Sequence, residues 1–354
     1  MTIRLQIIQQ VLAPYRVPLF NRIAADPEIT LNVGFHEDWT DGAYERTLLA
    51  DHTRLGTRKI GPIRTLTDWD TNADVLVLPL NLKLTNTFLA LKKSARRPAI
   101  CFWGHGYGKL KLLNPITSML ARRVEAIIAY AAAGKQRMID KGIAGEKIFV
   151  CNNTLDVTNH GLDQTTKKTD FLYVGRLQSR KRIDELMVAF QTLAASFPEI
   201  RLTIIGEGDI RSELESRSAE LGIAERTEFT GKIFDNEILK TYFAKAIAYV
   251  SPGPVGLGVV HSFAFGTPVI TDATIVHGPE SNYLRHQENA LLFQASVSEL
   301  MAAMRSLLVD PALMEQLALN AYQTFVDECD MRHSVAAFVQ AVQHAHRVRS
   351  GNSE

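Results

Sequence analysis

Cationic residues follow a short apolar strand in the second half of the chain. In FLYVGRLQSRKRIDEL, Gly175 and Arg176 come directly after the strand, and Lys181 stands at the start of the next amphipathic stretch. Arginine offers a planar fork of N–H donors and lysine a compact charge, so the pair suits the two phosphates of a diphosphate. The alternative is that residues 180–182 form a solvated cluster of charges without a ligand.

Two further turns place glycines directly after strands. IIGEGDIRSEL puts Gly206 and Gly208 between a strand and a helix, but Arg211 stands where the G-x-G-x-x-G fingerprint requires its last glycine. FTGKI puts Gly231 and Lys232 after another strand, at the depth of a base or ribose pocket. Neither turn is specific alone, so each supports a nucleotide site only together with the others.

The segment SPGPVGLGVVHSFAFGTPVI (251–270) supplies another such turn. Gly256 and Leu257 come just before a helix that carries His261 and Ser262. The free N–H groups and the positive end of the dipole at a helix start favour an anion. Ligands of doubly wound sheets bind beyond the carboxyl ends of the strands. These turns together therefore predict a site for a nucleotide diphosphate.

The first half offers weaker candidates. WGHGYGK (103–109) follows an apolar strand and holds His105 between two glycines, and APYRVPLF (13–20) holds Tyr15 and Arg16 after the first strand. Residues 92–123 include eight basic residues and no acidic one. Such a cluster suits anionic lipid or a lipid-diphosphate acceptor, or it is an ordinary solvated face. Nucleic acid is not expected, because no DNA- or RNA-binding motif accompanies the cluster.

Short apolar strands alternate with amphipathic stretches along the chain, which predicts two doubly wound α/β domains with parallel sheets. The first series runs from IRLQIIQQV to KIFVCNN and includes an amphipathic helix in TNTFLALKKSA (85–95). A polar, turn-forming segment near residue 160 ends this series, and the second runs from FLYVG to ALLF. The remainder of the chain is predicted to be helical.

Length and composition agree with two domains in 354 residues. The net charge of +1 argues against a protein that binds polyanions over its whole surface. Cys101, Cys151 and Cys329 are odd in number and far apart, which predicts buried thiols. The sequence has neither a signal-peptide core nor an apolar run of about 18 residues, so we expect a cytoplasmic protein, free or peripheral at the inner face of the membrane.

The second half resembles the family-four retaining glycosyltransferases of the GT-B fold, also called glycosyl transferases group 1. The resemblance rests on FLYVGRLQSRKRIDELMVAF, RLTIIGEGDIRSELE, FTGKIFDNEILKTYFAKAIAYVSPG, GTPVI and ENALLF, in this order and spacing. It implies an α/β chain of two Rossmann-like doubly wound domains that face a cleft. The implied parts are an acceptor-side domain over 1–155, a linker over 156–167, a nucleotide-sugar-binding domain over 168–330, and a C-terminal helix over 331–354 that crosses back to the N-terminal domain.

The resemblance also implies roles for single residues. Arg176 and Lys181 would stabilise the departing diphosphate of the donor, and His105 would contact the reacting sugar. Tyr15 and Arg16 would face the acceptor. The implied donor-binding residues are Gly175, Gly206, Gly208, Gly231, Lys232, Gly256, Leu257, His261, Ser262 and Glu280. Neither a metal nor a cofactor is expected, because the nucleotide-diphosphate sugar is a substrate.

The chain departs from the family at a pair of glutamates eight positions apart, where it has Gly253 and His261. Gly253 has no side chain to contact a sugar. His261 either bonds a ribose hydroxyl or phosphate, or is a core histidine. His277 and Glu280, in IVHGPESNYL, form an alternative sugar clamp or belong to an ordinary turn with a solvated glutamate.

The function predicted from these residues is transfer of a sugar, with retention, from a nucleotide-diphosphate donor to a hydroxyl of a glycan. A lipid-linked glycan in surface polysaccharide synthesis fits the basic residues, which would face an anionic membrane surface. Two alternatives remain open. One is a nucleotide-sugar epimerase or hydrolase of the same fold, and the other is a partner protein that binds a nucleotide sugar without catalysis.

Overall fold

The structure is a computed structural model that describes residues 2–38, 50–70, 72–92, 97–104, 114–158 and 160–351. It divides into two compact units. Unit 1 comprises Met1–Asp156 together with Met331–Glu354, and unit 2 comprises Val157–Asp330.

The described residues of unit 1 form a parallel sheet and a separate hairpin. Its strands are β1 (Ile3–Leu12), β2 (Ile29–Asp38), β3 (Asp51–Arg54), β4 (Gly56–Ile60), β5 (Ile63–Thr67), β6 (Val75–Pro79), β7 (Ala99–Gly104), β8 (Ala126–Ala129) and β9 (Ile148–Val150). The sheet has the order β3-β2-β1-β6-β7-β8-β9, and β4 and β5 pair as an antiparallel hairpin. The order changes direction between β1 and β6, so the turns after these strands flank the topological switch point.

In the part of unit 1 that the structure describes, the α-helices before the linker are α1 (Val17–Ala24), α2 (Asn114–Arg123) and α3 (Ala132–Ile139). Strands β6, β7 and β8 are apolar along their whole length, as expected where helices cover both faces of a sheet. Phe20 from α1 is fully buried against it. All three cysteines are buried and free, in agreement with the sequence.

The predicted helix in residues 85–95 is wrong. A 3₁₀ helix forms instead over Thr85–Leu91, and it buries the polar residues Asn86 and Thr87. Both polar side chains bond backbone carbonyls, Asn86 that of Leu66 and Thr87 that of Asn81. Side-chain bonds to the backbone compete with α-helical pairing, which explains the tighter turn.

Unit 2 has a parallel sheet covered by helices. Its strands are β10 (Asp170–Val174), β11 (Arg201–Ile205), β12 (Thr227–Gly231), β13 (Ala246–Ser251), β14 (Val269–Asp272) and β15 (Ala290–Phe293). Its helices are α4 (Ile183–Ser196), α5 (Arg211–Glu220), α6 (Asn236–Lys245), α7 (Gly258–Ala264), α8 (Val297–Val309) and α9 (Pro311–Thr324). The sheet order β12-β11-β10-β13-β14-β15 is that of dinucleotide-binding sheets, with the switch point between β10 and β13.

Helix starts in unit 2 follow local sequence signals. Asp235 caps α6 by accepting from the backbone N–H of Glu237, and Ser296 caps α8 by accepting from that of Glu299. Pro311 occupies the start of α9, where its missing N–H costs nothing. Such caps satisfy donors that lack partners within the helix.

The C-terminal helix α10 (Met331–Ser350) packs on β7, β8 and β9 and belongs to unit 1, as predicted. Its apolar face buries Phe338, whose ring meets that of Trp103 edge-on at 5.2 Å between centroids. Among the described residues, no helix combines the length and apolar character needed to cross a bilayer.

Candidate functional site

The candidate site of unit 2 lies where the sheet order reverses. The turn after β10 contains Arg176 and leads through a 3₁₀ turn, Ser179–Lys181, into α4. The turn after β13 contains Gly253 and Gly256 and leads into α7. Since β10 and β13 are hydrogen-bonded neighbours, both turns meet at one edge of the sheet.

Lys181 connects these two turns. Its ammonium group donates to the Pro254 carbonyl, and its backbone carbonyl accepts from the Gly253 N–H at 3.0 Å. Burial of the half-buried side chain, together with the Arg180 and Arg176 charges, lowers the pKa of Lys181 to about 8, although the Glu280 charge opposes the shift. The site therefore holds concentrated positive charge that an anion would stabilise.

Arg176 and Arg180 expose their side chains beside Lys181. The Tyr173 hydroxyl donates to the Arg176 carbonyl at 2.9 Å and so fixes the backbone of the turn. Arg180 bonds the Gln178 side chain at 3.0 Å. The structure thus keeps at least two of these cations at the surface, where both a ligand and solvent can reach them.

Arg182 has a different environment, and its role is structural. Its backbone is left-handed, with φ of 54°. Its guanidinium bonds both carboxylate oxygens of Glu185 and, at 2.7 Å, the fully buried carboxylate of Asp272. Burial opposes the charge of Asp272, but the bonds from Arg182 and Thr274 hold the pKa of this carboxyl below its usual value. The sequence suggested Arg182 only as part of a solvated cluster over residues 180–182. It did not reveal the pairing with Asp272, because the two residues lie far apart along the chain.

The glycines after β10 and β11 allow close backbone packing. A Cβ on Gly206 would overlap the Gly175 carbonyl oxygen, and one on Gly208 would overlap the Leu177 carbonyl oxygen. The turns also share hydrogen bonds, from Gly175 N–H to Ile205 and from Leu177 N–H to Glu207, both at 2.9 Å. Packing within the protein therefore accounts for Gly206 and Gly208 without a ligand.

Gly231 has a conformational reason to be glycine, because its φ is +79°. It ends β12, and its carbonyl accepts from the Gly206 N–H at 2.9 Å. The Lys232 side chain that follows is exposed. These residues line the same edge of the sheet as Arg176, two strands away from β10.

Three glycines in and after the turn that follows β13 differ in their surroundings. A Cβ on Gly253 would lie 2.5 Å from Lys181 Cα, and one on Gly258 would lie 2.7 Å from the Tyr249 hydroxyl oxygen. A Cβ on Gly256 would meet nothing within 4 Å, and its φ is not positive. Gly256 is thus the glycine in this turn that the protein's own packing does not require.

Gly253 also explains the departure from the paired-glutamate pattern. The Arg180 carbonyl and Lys181 Cα occupy the volume into which a side chain at 253 would project. A glutamate there would have to displace the turn that carries Lys181. In this backbone arrangement the missing carboxylate is a consequence of close packing.

His261 and Ser262 lie in the middle of α7, and Leu257 lies just before it. His261 is half-buried rather than a fully buried core residue, and Leu257 immediately precedes the helix with αR geometry. Ser262 is fully buried and donates to the Thr267 carbonyl at 2.6 Å. Its side chain is therefore not placed to contact a donor, contrary to the sequence-based expectation.

His277 does not form the predicted sugar clamp. Its Nδ1 accepts from the Val255 N–H at 3.1 Å, and its Nε2 lies 2.6 Å from the Asp272 carbonyl oxygen. An accepting Nδ1 leaves the proton on Nε2, so both ring nitrogens are used within the protein. The imidazole thereby fixes the turn at Val255 to the end of β14.

Glu280 is buried rather than solvated, with 4% of its surface exposed, within a 3₁₀ helix over Pro279–Tyr283. A Cβ on Gly278 would lie 2.5 Å from Glu280 Oε2, so the carboxylate folds back over this glycine. Its charge acts on Lys181, which places the carboxylate near the cationic end of the site.

Unit 1 has its own candidate site after β1. The half-buried guanidinium of Arg16 donates to the Gln9 side chain and, at 2.7 Å, to the Tyr130 hydroxyl. It also lies over the Trp103 ring, 4.6 Å from the centroid. Burial raises the pKa of Tyr130, so this partner stays neutral. Arg16 Nε and Trp103 Nε1 are buried without a hydrogen-bond partner among the described residues.

A cavity of about 10 Å³ adjoins this guanidinium. Tyr15, Asn152, Asn153 and Thr154 contribute to its lining. The volume is about that of one water-sized probe. His105 and the basic residues Lys93, Arg96, Lys109 and Lys111 lie outside the described residues.

The described residues contain no group of three or more His, Cys, Asp or Glu side chains arranged to hold a metal ion. The candidate site of unit 2 instead presents lysine and arginine side chains at a helix-proximal edge of a parallel sheet. This arrangement is suited to phosphate groups.

Comparison with known proteins finds a family match in the second half of the chain. Residues 160–324 match the family described as "Glycosyl transferases group 1". A glycogen synthase of Mycobacterium tuberculosis is 27% identical over 244 residues, which cover 66% of this chain and 58% of the relative. The lipopolysaccharide core biosynthesis glycosyltransferase LpsE of Rhizobium meliloti is 25% identical over 225 residues, or 62% of this chain and 64% of that protein.

Solved structures agree in fold. Anabaena Alr3699/HepE, solved in complex with UDP, has a TM-score of 0.72 at 14% identity and covers 97% of this chain and 100% of its own. The sucrose-phosphate synthase of Thermosynechococcus elongatus has a TM-score of 0.71 at 16% identity, with coverage of 98% and 100%. The chain is thus an α/β protein of the GT-B fold, built from two Rossmann-like units. Residues 160–324, which span nearly all of unit 2, match the model of the glycosyl transferases group 1.

Proposed function

We propose that this protein is a glycosyltransferase that moves a sugar from a nucleotide-diphosphate donor to a hydroxyl group of a glycan. The proposal rests on one observation. Lys181 and Arg176 lie close together at the switch point of unit 2, beside the open space at Gly256. The family match covers all three residues. The chain spans 58% of the glycogen synthase and 64% of LpsE, so the proposal rests on this site as well as on the relatives.

In the proposed reaction, Arg176 and Lys181 bind the donor diphosphate and stabilise the charge that it gains as the glycosidic bond breaks. The close approach allowed at Gly256 brings the sugar phosphate to the backbone of this turn. The reaction retains the anomeric configuration, and the departing diphosphate accepts the proton of the acceptor hydroxyl. His261 stands on the adjoining helix to contact the donor.

We further propose that two cationic side chains replace a metal as the counter-charge of the diphosphate, and that the acceptor is a lipid-linked glycan. A role in surface polysaccharide synthesis is supported by the similarity to LpsE, a glycosyltransferase of lipopolysaccharide core biosynthesis. Excess EDTA should leave transfer unchanged if no metal takes part.

The test begins with donor identity. Thermal stabilisation by UDP, GDP, ADP and their sugars identifies the base, because a ligand that binds the folded state raises its apparent stability. Transfer from the donor found is then followed by NMR, which assigns the anomeric configuration of the product. Release of free sugar without acceptor would favour the hydrolase alternative, and donor binding without turnover would favour a non-catalytic partner.

Arg176→Ala separates the diphosphate role from a general effect of charge. We expect a loss of at least about a hundredfold in kcat/KM, in line with the removal of one transition-state donor. Arg217→Ala is the matched control, since Arg217 is an exposed arginine of the same unit that pairs with Glu220 on α5. Equal activity of the two variants would contradict the assignment of the diphosphate to Arg176.

A further inference from the structure

The hairpin β4–β5 of unit 1 has an apolar tip that protrudes into solvent. Ile60 is 82% exposed and Ile63 is 48% exposed, and the Gly61-Pro62 turn between them is exposed as well. Gly61 has a φ of +57°, which the tight turn requires. Two large aliphatic side chains on a protruding turn are more than the scattered apolar exposure of ordinary surfaces.

The base of this hairpin is firmly anchored, so the tip is held out from a fixed position. Leu66 is 1% exposed, and its backbone exchanges two hydrogen bonds with the Asn86 side chain, at 2.8 and 3.0 Å. The Gly56 N–H bonds the Asp68 carboxylate at 3.2 Å. An isolated two-stranded hairpin is marginal in water, but these contacts join it to the unit.

Positive charge surrounds the apolar tip. Residues 52–67 include Arg54, Arg58, Lys59 and Arg64 and no acidic residue. Arg58 and Lys59 are exposed immediately before Ile60. Arg64 lies 3.5 Å from the Glu37 carboxylate, so its charge is compensated in part. The exposed Lys83 adds a charge beside the hairpin, because its carbonyl accepts from the Arg64 N–H at 2.8 Å.

We propose that the β4–β5 hairpin docks the protein on a membrane surface that contains anionic lipid. Ile60 and Ile63 enter the boundary between head groups and acyl chains, while Arg58, Lys59 and Lys83 contact anionic head groups. The pairing of a small apolar insertion with nearby cations is the combination that gives reversible surface binding. The hairpin lies outside the stretch 92–123 in which the sequence suggested a basic surface.

A membrane suits this tip better than a protein partner does. A stable protein interface buries on the order of 1,200 Å² or more, which two side chains on a narrow turn cannot provide. Insertion into a bilayer boundary needs only a few apolar side chains and draws added strength from the charge of the surface. The arrangement also brings unit 1 to the surface that would present a lipid-linked acceptor, although docking does not depend on the proposed transfer reaction.

Flotation of the full-length protein with lipid vesicles tests the docking without any substrate. We expect binding to phosphatidylcholine vesicles that contain about 30 mol% phosphatidylglycerol, and much weaker binding to phosphatidylcholine alone. The double variant Ile60→Ser/Ile63→Ser should bind the anionic vesicles at least about tenfold more weakly, because the apolar insertion is lost. Arg58→Gln/Lys59→Gln should weaken binding by about tenfold and reduce its sensitivity to salt.

Val309→Ser is the matched control, because Val309 is a 53% exposed aliphatic residue at the end of α8 in unit 2. It should bind vesicles as the wild type does. The proposal is overturned if the wild type does not float with anionic vesicles, or if the isoleucine double variant floats as well as Val309→Ser.

A probe at the tip tests insertion independently of these variants. All three native cysteines are buried, so Pro62→Cys provides an accessible thiol for an NBD label. On anionic vesicles the emission should increase and shift to shorter wavelength, because the dye leaves water. Unchanged emission from vesicle-bound protein would show that another surface makes the contact and would overturn the assignment to the hairpin. Failure of sugar transfer with intact vesicle binding would contradict only the proposed function.

Discussion

Each unit holds an arginine in the segment after the first strand of its sheet, and the two arginines have opposite surroundings. Arg182 of unit 2 bonds two carboxylates, one of which, Asp272, is fully buried. Arg16 of unit 1 bonds the neutral side chains of Gln9 and Tyr130 and lies over the Trp103 ring. The same topological position therefore supports either a structural ion pair or a cation held by neutral groups.

The difference shows that unit 2 uses separate residues for the cations of its candidate site and for the arginine that stabilises its fold. Arg182 neutralises Asp272 and fixes the start of α4, while Lys181 is held by the Pro254 carbonyl. A carbonyl positions the ammonium group without cancelling its charge. In unit 1, Arg16 would have to stabilise the fold and also supply the positive charge for a ligand.

Arg182→Met should produce the largest effect. It leaves the buried Asp272 carboxylate without its cation, which costs about 3–5 kcal/mol of the free energy of unfolding. All three tryptophans precede residue 157, so tryptophan fluorescence follows unit 1 and far-UV circular dichroism follows both units. We expect an early urea transition in circular dichroism that fluorescence does not report. A variant as stable as the wild type would mean that the ion pair contributes little to the fold.

Gly253→Ala and Gly256→Ala compare a glycine required by packing with one that is not. The Cβ at 253 would meet Lys181 Cα at 2.5 Å, which should destabilise unit 2 by about 3 kcal/mol. The Cβ at 256 meets open space and should change stability by less than about 0.5 kcal/mol.

Gly256→Ala also tests whether the ligand approaches this turn. Gly256→Ala should weaken binding of the nucleotide diphosphate identified by thermal stabilisation, because the methyl group fills the space that the ligand would approach. Calorimetry measures this directly on a folded variant. Unchanged affinity would place the ligand elsewhere than against this turn.

The charge of Lys181 gives a pH test. Its pKa of about 8 lies below that of a free lysine, so the charge is present below pH 8 and is lost as the pH rises through that value. Affinity for the diphosphate should then fall by up to tenfold per pH unit above 8, or about 1.4 kcal/mol per unit. Lys181→Arg stays charged and should show no such fall, whatever its absolute affinity. Parallel profiles for the two proteins would contradict the role of Lys181.

The alternation of strands and helices was predictable because apolar runs and amphipathic periods are local features of a chain. The comparisons confirm the predicted GT-B fold. Hairpin β4–β5 was missed, since GTRKI and IRTLT are short strands without an apolar run, and GTRKI is largely exposed. Its tip became recognisable only from the exposure of Ile60.

Within the candidate site, residue types were predictable but their partners were not. His277 looks like a ligand-binding residue in sequence, yet two backbone groups distant in sequence use both of its nitrogens. Gly206 looks like part of a nucleotide fingerprint, yet its lack of a side chain makes room for Gly175. Such contacts depend on how close two turns come in space, which spacing along the chain does not encode.

Arg16→Met should affect stability far less than Arg182→Met does, within about 1 kcal/mol of the wild type. The variant loses hydrogen bonds to Gln9 and Tyr130 and the contact with Trp103, but it also removes the cost of burying a charge. Since neither partner is a carboxylate, no opposite charge is left uncompensated among these contacts. Urea unfolding followed by tryptophan fluorescence measures unit 1 alone, and a loss above about 3 kcal/mol would show that Arg16 is as structural as Arg182. A stable Arg16→Met that binds donor normally but transfers sugar slowly would instead give the two arginines separate tasks, Arg182 in folding and Arg16 in use of the acceptor.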